Sequence, residues 1–247
     1  MQFAVLLAAI DILLVIHAAK TGRFSPWGYV IMLLPGIGAA AYVIAELAPE
    51  WLGSYKGQKA QSNVISLIDP TRRYRLLKDN LETADTIANH AALGEECLTL
   101  GRYEEALALF TAVIGQPLGE EPGYFLGKAR AEYGAGQPAA AIATLDTLRQ
   151  TFPDKASAEG HLLYARALEG AGRDDEALAE YGGVSAYFPG PEPRVRHAVL
   201  LARLGRAAEA RSLADDTVRR IQRSPRHVRQ AQGEWLAQAQ KIARGVS

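Results

Sequence analysis

Hydrophobic residues are distributed in two different ways along this chain. Up to about residue 48 they form two nearly unbroken runs, Phe3–Ala19 and Trp27–Leu47. From about residue 87 to residue 222 they recur at the spacing of amphipathic helices, and strand-like alternation is almost absent from the sequence. The pattern therefore predicts an all-α chain, in which an apolar N-terminal segment precedes a longer array of amphipathic helices.

The helical array contains one pattern four times. A glycine is followed five residues later by an alanine, and four residues after that by an aromatic or apolar residue. Successive glycines are 35, 36 and 33 residues apart. Self-similarity at this period predicts a solenoid of stacked helix pairs. The four sets are Gly101, Ala106 and Phe110; Gly136, Ala141 and Leu145; Gly172, Ala177 and Tyr181; and Gly205, Ala210 and Ala214.

Each residue type in this pattern has a physical reason. Glycine allows the turn between two helices, alanine allows the helices to approach closely, and the large residue fills the space that remains. Pro153 and Pro189 end the second helix of the second and third units. On these residues the region 87–222 resembles the tetratricopeptide repeat, although Ala214 departs from the pattern in the fourth unit. We therefore expect about four helix pairs over residues 84–223 and a capping helix over residues 224–247.

The resemblance implies a concave groove, built from the first helices, that binds a protein partner or peptide. Arg130 and Arg166 occupy equivalent positions of neighbouring units, so we expect their guanidinium groups to be close together. Such a pair suits a carboxylate or an acidic peptide. Alternatively, each arginine pairs with a nearby acid such as Glu132 or Glu169 and binds nothing. The candidate groove residues are Glu95, Arg130, Tyr133, Arg166 and Arg203.

The first 48 residues predict a helical hairpin that spans a membrane and contacts its lipid. A helix rises ~1.5 Å per residue, so the second run, with its 21 residues, covers the ~30 Å of a bilayer core. The first run is slightly shorter. A cleaved signal peptide is the alternative for it, but the run has no basic segment before it and a second apolar run follows.

The segment contains Asp11, Trp27, Pro35, Gly38 and Tyr42. On these residues it resembles the N-terminal membrane module of cardiolipin synthases and related phospholipase D-type proteins. The His-x-Lys-x4-Asp motif of their catalytic half is absent from the sequence, so the resemblance implies an anchor and no phosphatidyl transfer. We expect a bacterial-type inner membrane location with two spans and the solenoid on the cytoplasmic side. Asp11 makes either an intramembrane polar contact or an internal structural bond.

Residues 49–83 predict a linker followed by a basic helix. Two interpretations of this helix remain open. Its basic residues contact anionic lipid, or they form the solvated face of a helix that packs on the first repeat through Tyr74, Leu76, Leu77 and Leu81.

The whole chain has 27 basic and 27 acidic residues. Its C-terminal end is basic, but no aromatic residues alternate with the arginines between Arg219 and Arg229, which argues against a nucleic-acid partner.

The sequence contains no recognised catalytic motif, and its five histidines lie far apart. The single cysteine, Cys97, excludes an intramolecular disulfide. We therefore predict a non-catalytic protein without a cofactor or metal. Two functions remain open: a membrane-anchored adaptor in the assembly or regulation of a membrane complex, or an accessory or regulatory factor of phospholipid (cardiolipin) metabolism that acts through the hairpin.

Overall fold

The computed structural model describes residues 2–47, 69, 71–117 and 119–245. Most of the predicted linker lies outside these residues. The chain divides into two compact units, residues 1–72 and 73–247. All regular secondary structure in the described residues is helical, which confirms the all-α prediction.

The N-terminal unit is built from one long helix and two shorter ones around a small core. Ala18, Ile31 and Tyr42 form this core, and Leu14, Val15 and Trp27 pack against it. Large apolar side chains also lie on its surface, including Leu13, Leu33 and Ile37. The helices are α1 (Gln2–Lys20), α2 (Phe24–Leu33) and α3 (Ile37–Tyr42), and a π-helical turn (Val43–Leu47) continues α3.

The second predicted membrane span is not a single helix. α2 ends at Leu33, and Pro35 and Gly36 separate it from α3. Gly36 has φ +81°, a conformation that suits glycine, and proline has no N–H to continue a helix. With 10 residues, α2 is only ~15 Å long, half of a bilayer core.

Among the helices of the described residues, none combines the length and the apolar character that crossing a membrane requires. The predicted location as a two-span inner-membrane protein, with the solenoid on the cytoplasmic side, is therefore wrong. For the second run the prediction failed because the apolar residues were treated as a continuous helix, whereas the chain bends at Pro35 and Gly36.

The second unit is a row of helix pairs with additional helices at both ends. α4 (Arg72–Thr83) precedes the pairs. The pairs are α5 (Ile87–Thr99) with α6 (Tyr103–Ile114), α7 (Pro122–Gly134) with α8 (Pro138–Thr151), α9 (Ala158–Gly170) with α10 (Asp174–Val184), and α11 (Glu192–Arg203) with α12 (Ala207–Arg223). They are followed by α13 (Arg226–Ala231) and α14 (Gly233–Ala243).

The repeated pattern has the structural role that its chemistry predicts. The four turn glycines have φ between +71° and +77°. The four alanines are at most 1% exposed, and Phe110, Leu145 and Tyr181 are at most 2% exposed. Ala214 is also fully buried, so the fourth pair forms with a smaller residue at this position. These contacts confirm the predicted solenoid of about four helix pairs.

The helices at the two ends differ in detail from the prediction. At the start, Tyr74, Leu77 and Leu81 of α4 pack on the first pair, whereas Leu76 is 59% exposed. At the C-terminus, two short helices replace the single predicted cap. α14 buries Ala239 and packs Ile242 against the central core of the row.

Candidate functional site

The first helices of the four pairs present a row of charged and aromatic side chains. We call this surface the first-helix face and define it by the predicted groove residues Glu95, Arg130, Tyr133, Arg166 and Arg203. They lie on α5, α7, α9 and α11. Neighbouring helices in this row are joined through these side chains, because residues about one repeat apart in sequence come into contact.

Arg130 bridges its two neighbouring helices. Its Nη1 lies 3.1 Å from Glu95 Oε2, and its Nε lies 3.7 Å from Glu159 Oε1. Its charge is therefore balanced by two carboxylates of the same chain. Glu132, which the sequence suggested as a partner, instead lies 3.6 Å from Lys128.

Arg203 is also held by carboxylates of the chain. Its guanidinium nitrogens lie 3.3 Å from Glu169 Oε1 and 2.7 Å from Asp174 Oδ1. The Tyr181 hydroxyl donates a 2.6 Å hydrogen bond to the other oxygen of Glu169. Burial, together with this carboxylate, raises the pKa of Tyr181 well above its usual range, so the hydroxyl remains a neutral donor.

Arg166 has a different environment. Its guanidinium carbon lies 4.9 Å from the ring centroid of Tyr133, in a cation–π contact across α7 and α9. Its Nε is buried without a hydrogen-bond partner. Within the part of the chain that the structure describes, Arg166 pairs with no carboxylate. An added carboxylate would therefore gain most at Arg166 on this face, because Arg130 and Arg203 already have such partners.

Two acidic residues that pair with arginines of this face were not predicted from the sequence. They are Glu159, which pairs with Arg130, and Asp174, which pairs with Arg203. Glu159 lies at the start of α9, where the repeat register already places groove residues, so that register could have identified it. Asp174 lies in the first turn of α10, outside the first helices. Its contact with Arg203 depends on the packing of neighbouring pairs, which the repeat pattern does not specify.

The five predicted residues of the membrane module contribute to the internal structure of the N-terminal unit. Both carboxylate oxygens of Asp11 accept from the backbone N–H of Gly36 at 3.2 Å. Trp27 donates to Glu46 at 3.0 Å, and the Tyr42 hydroxyl lies 3.0 Å from His17 Nδ1. Pro35 lies in the bend between α2 and α3. A Cβ atom on Gly38 would approach Ile31 Cα to 2.8 Å, so Gly38 permits the close contact of these two helices.

The described residues contain no cluster of three or more histidine, cysteine, aspartate or glutamate side chains that could hold a metal ion. Cys97 is fully buried. Burial raises the pKa of its thiol to about 11, so the reactive thiolate is disfavoured at neutral pH.

Comparison with known proteins places the helical array among tetratricopeptide-like folds. A family model described as tetratricopeptide repeat matches residues 132–199. A thermophilic tetratricopeptide protein of Thermus thermophilus, TTC0263, is 20% identical, with a TM-score of 0.50 over 73% of this chain and 98% of that chain. YrrB, described as a tetratricopeptide protein with an unusual peptide-binding site, is 17% identical, with a TM-score of 0.49 over 72% of this chain and 90% of that chain.

No curated protein sequence matches this chain significantly. The family match and the fold of TTC0263 confirm the tetratricopeptide resemblance of the helical array. The resemblance of residues 1–48 to cardiolipin synthases receives no support from these comparisons, nor does lipid binding by these residues.

Proposed function

We propose that this chain is a non-catalytic scaffold that binds a protein partner or peptide along its first-helix face. A tetratricopeptide fold supports a role in protein–protein interaction. A solenoid of this kind buries each helix pair only against its neighbours and leaves a long continuous surface for a partner.

The observation that carries the proposal is the environment of Arg166. Arg130 and Arg203 on the same face already have carboxylate partners. Arg166 instead combines a ring contact with a buried Nε that has no hydrogen-bond partner. A carboxylate of the partner would pair with the guanidinium group of Arg166, and a charge-assisted bond of this kind is stronger than a neutral one.

The charges around Arg166 restrict the chemistry of the partner. Glu95, Glu159 and Glu169 lie on the same face and would repel a long acidic segment. The ring of Tyr133 beside Arg166 offers apolar contact. The proposed partner segment therefore has one carboxylate next to apolar or aromatic residues, rather than a run of acidic residues.

Substituting the two arginines tests the proposal. Native partners are crosslinked to the full chain in intact cells, and their recovery is measured by quantitative mass spectrometry. We expect the double variant Arg130→Ala, Arg166→Ala to abolish this recovery. The control is Arg173→Ala, because Arg173 forms only an exposed ion pair with Glu176 at the turn of the third pair. Partner recovery that is the same for the double variant, the control and the wild type would remove the first-helix face from the function.

The wider roles predicted from the sequence are not part of this proposal. The adaptor role in a membrane complex depended on the two-span anchor, which the structure contradicts. The accessory role in cardiolipin metabolism depended on the hairpin, and no feature of the described residues favours it.

A further inference from the structure

A cavity of about 330 Å³ lies between the second and third helix pairs. It is bounded by the end of α8, the connection over residues 152–157, the start of α9, Glu180 and Tyr187. None of the five residues that define the first-helix face lines it. The volume falls within the range of roughly 300–1,000 Å³ that is typical of sites for small ligands.

The floor of the cavity is apolar. Leu145, Leu148 and Phe152 line it, and Leu145 is only 2% exposed. The ring of Phe152 packs edge to face on Phe125, with 5.9 Å between the ring centroids. This support from α7 holds the floor in place, so the cavity offers a formed surface to an apolar group.

The rim of the cavity is polar and has an excess of cations. Arg149 lies over the Tyr164 ring at 3.8 Å, and its Nη2 lies 3.5 Å from Glu180. His161 hydrogen-bonds to both Glu180 and Tyr187. Lys155 also lines the rim, and it forms no ion pair within the described residues. Two basic side chains, Arg149 and Lys155, therefore share the rim with a single carboxylate, Glu180, which also bonds to His161.

We propose that this cavity binds an apolar group that carries a carboxylate. The apolar part lies on Leu145, Leu148 and Phe152, and the carboxylate lies between Arg149 and Lys155. Arg149 is already oriented by the Tyr164 ring, which lowers the cost of binding. The site is separate from the first-helix face and adds a second ligand to the proposed scaffold. Two sources supply this chemistry: the C-terminal residue of a peptide, or a free carboxylic acid.

Titration of the full chain by isothermal calorimetry tests the proposal with three probes. The probes are the peptide acetyl-Gly-Ser-Gly-Phe with a free carboxylate, the same peptide as its C-terminal amide, and 3-phenylpropionate. We expect the amide to bind at least about tenfold more weakly than the free peptide. A free peptide that binds more tightly than 3-phenylpropionate identifies a peptide C-terminus as the source, and the reverse order identifies a free acid.

Variants assign the binding to this cavity. We expect Arg149→Met and Lys155→Met each to weaken binding of the free peptide or acid by about tenfold. Lys155 is exposed and does not contribute to the core, so the Lys155→Met variant stays informative even if Arg149→Met disturbs folding. Arg173→Met should have no effect. Arg166→Met removes the carboxylate contact proposed on the first-helix face, so the binding that remains in this variant belongs to the cavity.

Three results would overturn the proposal. They are equal binding of the acid and amide peptides, no binding of any carboxylate probe at ~5 mM, and carboxylate binding that neither Arg149→Met nor Lys155→Met weakens.

Discussion

Phe110 fixes the close contact between the first two helix pairs. Its ring lies against Gly94 of α5 and Gly127 of α7, where an added Cβ atom would approach ring carbons to 2.9 Å and 2.5 Å. A glycine inside a helix costs ~1 kcal/mol relative to alanine. The two glycines are compatible with stable helices here because a fully buried aromatic ring occupies the space that their side chains would need.

We therefore expect Gly127→Ala to lower the free energy of unfolding by about 1–3 kcal/mol, because the ring must move from a filled core. The control is Gly123→Ala in the same helix, where an added Cβ atom meets nothing within 4 Å. This control should be neutral or stabilising by up to ~1 kcal/mol. Urea unfolding of both variants measures the difference, and equal stabilities would show that Phe110 does not restrict Gly127.

Arg130 and Arg166 show what the sequence could and could not predict at the residue scale. The repeat register placed both on the first helices, and the structure has them on α7 and α9. The repeat register could not distinguish the environments of the two arginines, because these environments depend on residues of neighbouring pairs. Glu95 reaches Arg130 from the pair before it, whereas Arg166 meets the Tyr133 ring.

At the scale of elements, α4 is a part of the solenoid unit. Tyr74 is 8% exposed, and its hydroxyl donates a 2.6 Å hydrogen bond to Glu105 of α6. Arg102 lies over its ring at 4.2 Å, and Arg73 lies 3.2 Å from the buried Glu96. These contacts give α4 the role of an N-terminal cap, which covers the apolar edge of the first pair.

Two substitutions in α4 test this role. Tyr74→Ala should lower the free energy of unfolding by about 3 kcal/mol, because it removes a buried ring and one of the hydrogen bonds to Glu105. Leu76→Ala, two residues away and exposed, should change it by less than ~0.5 kcal/mol. Thermal and urea unfolding compare the variants, and a small loss for Tyr74→Ala would mean that α4 is only a solvated extension.

The elements also differ in how well hydropathy predicted them. The helix pairs were predictable because glycine, alanine and a large residue recur at a fixed spacing, and each has one structural role. The structure of the second apolar run was not predictable from hydropathy, because the mean hydropathy over Trp27–Leu47 contains no information about the bend at Pro35 and Gly36. Asp11 indicated that this unit has internal polar contacts, but its partner, the backbone of Gly36, could not be identified from sequence.

At the scale of the molecule, contacts between neighbouring helix pairs place the first helices in a row, and these helices form one extended surface. Each pair buries its alanine locally, and the first three pairs also bury a large residue, yet the first helices together align side chains from four pairs. Ion pairs and a cation–π contact join neighbouring helices along this row, through Arg130, Arg166 and Arg203. We predict that a partner lies along this row.

Site-specific photocrosslinking in intact cells tests this claim most directly. A photoreactive amino acid is placed at Thr99, exposed on α5 of the first-helix face, or at Thr111, exposed on α6 of the same pair. We expect crosslinked partner from position 99 and none above background from position 111. Equal crosslinking from both positions, or crosslinking from position 111 alone, would contradict it.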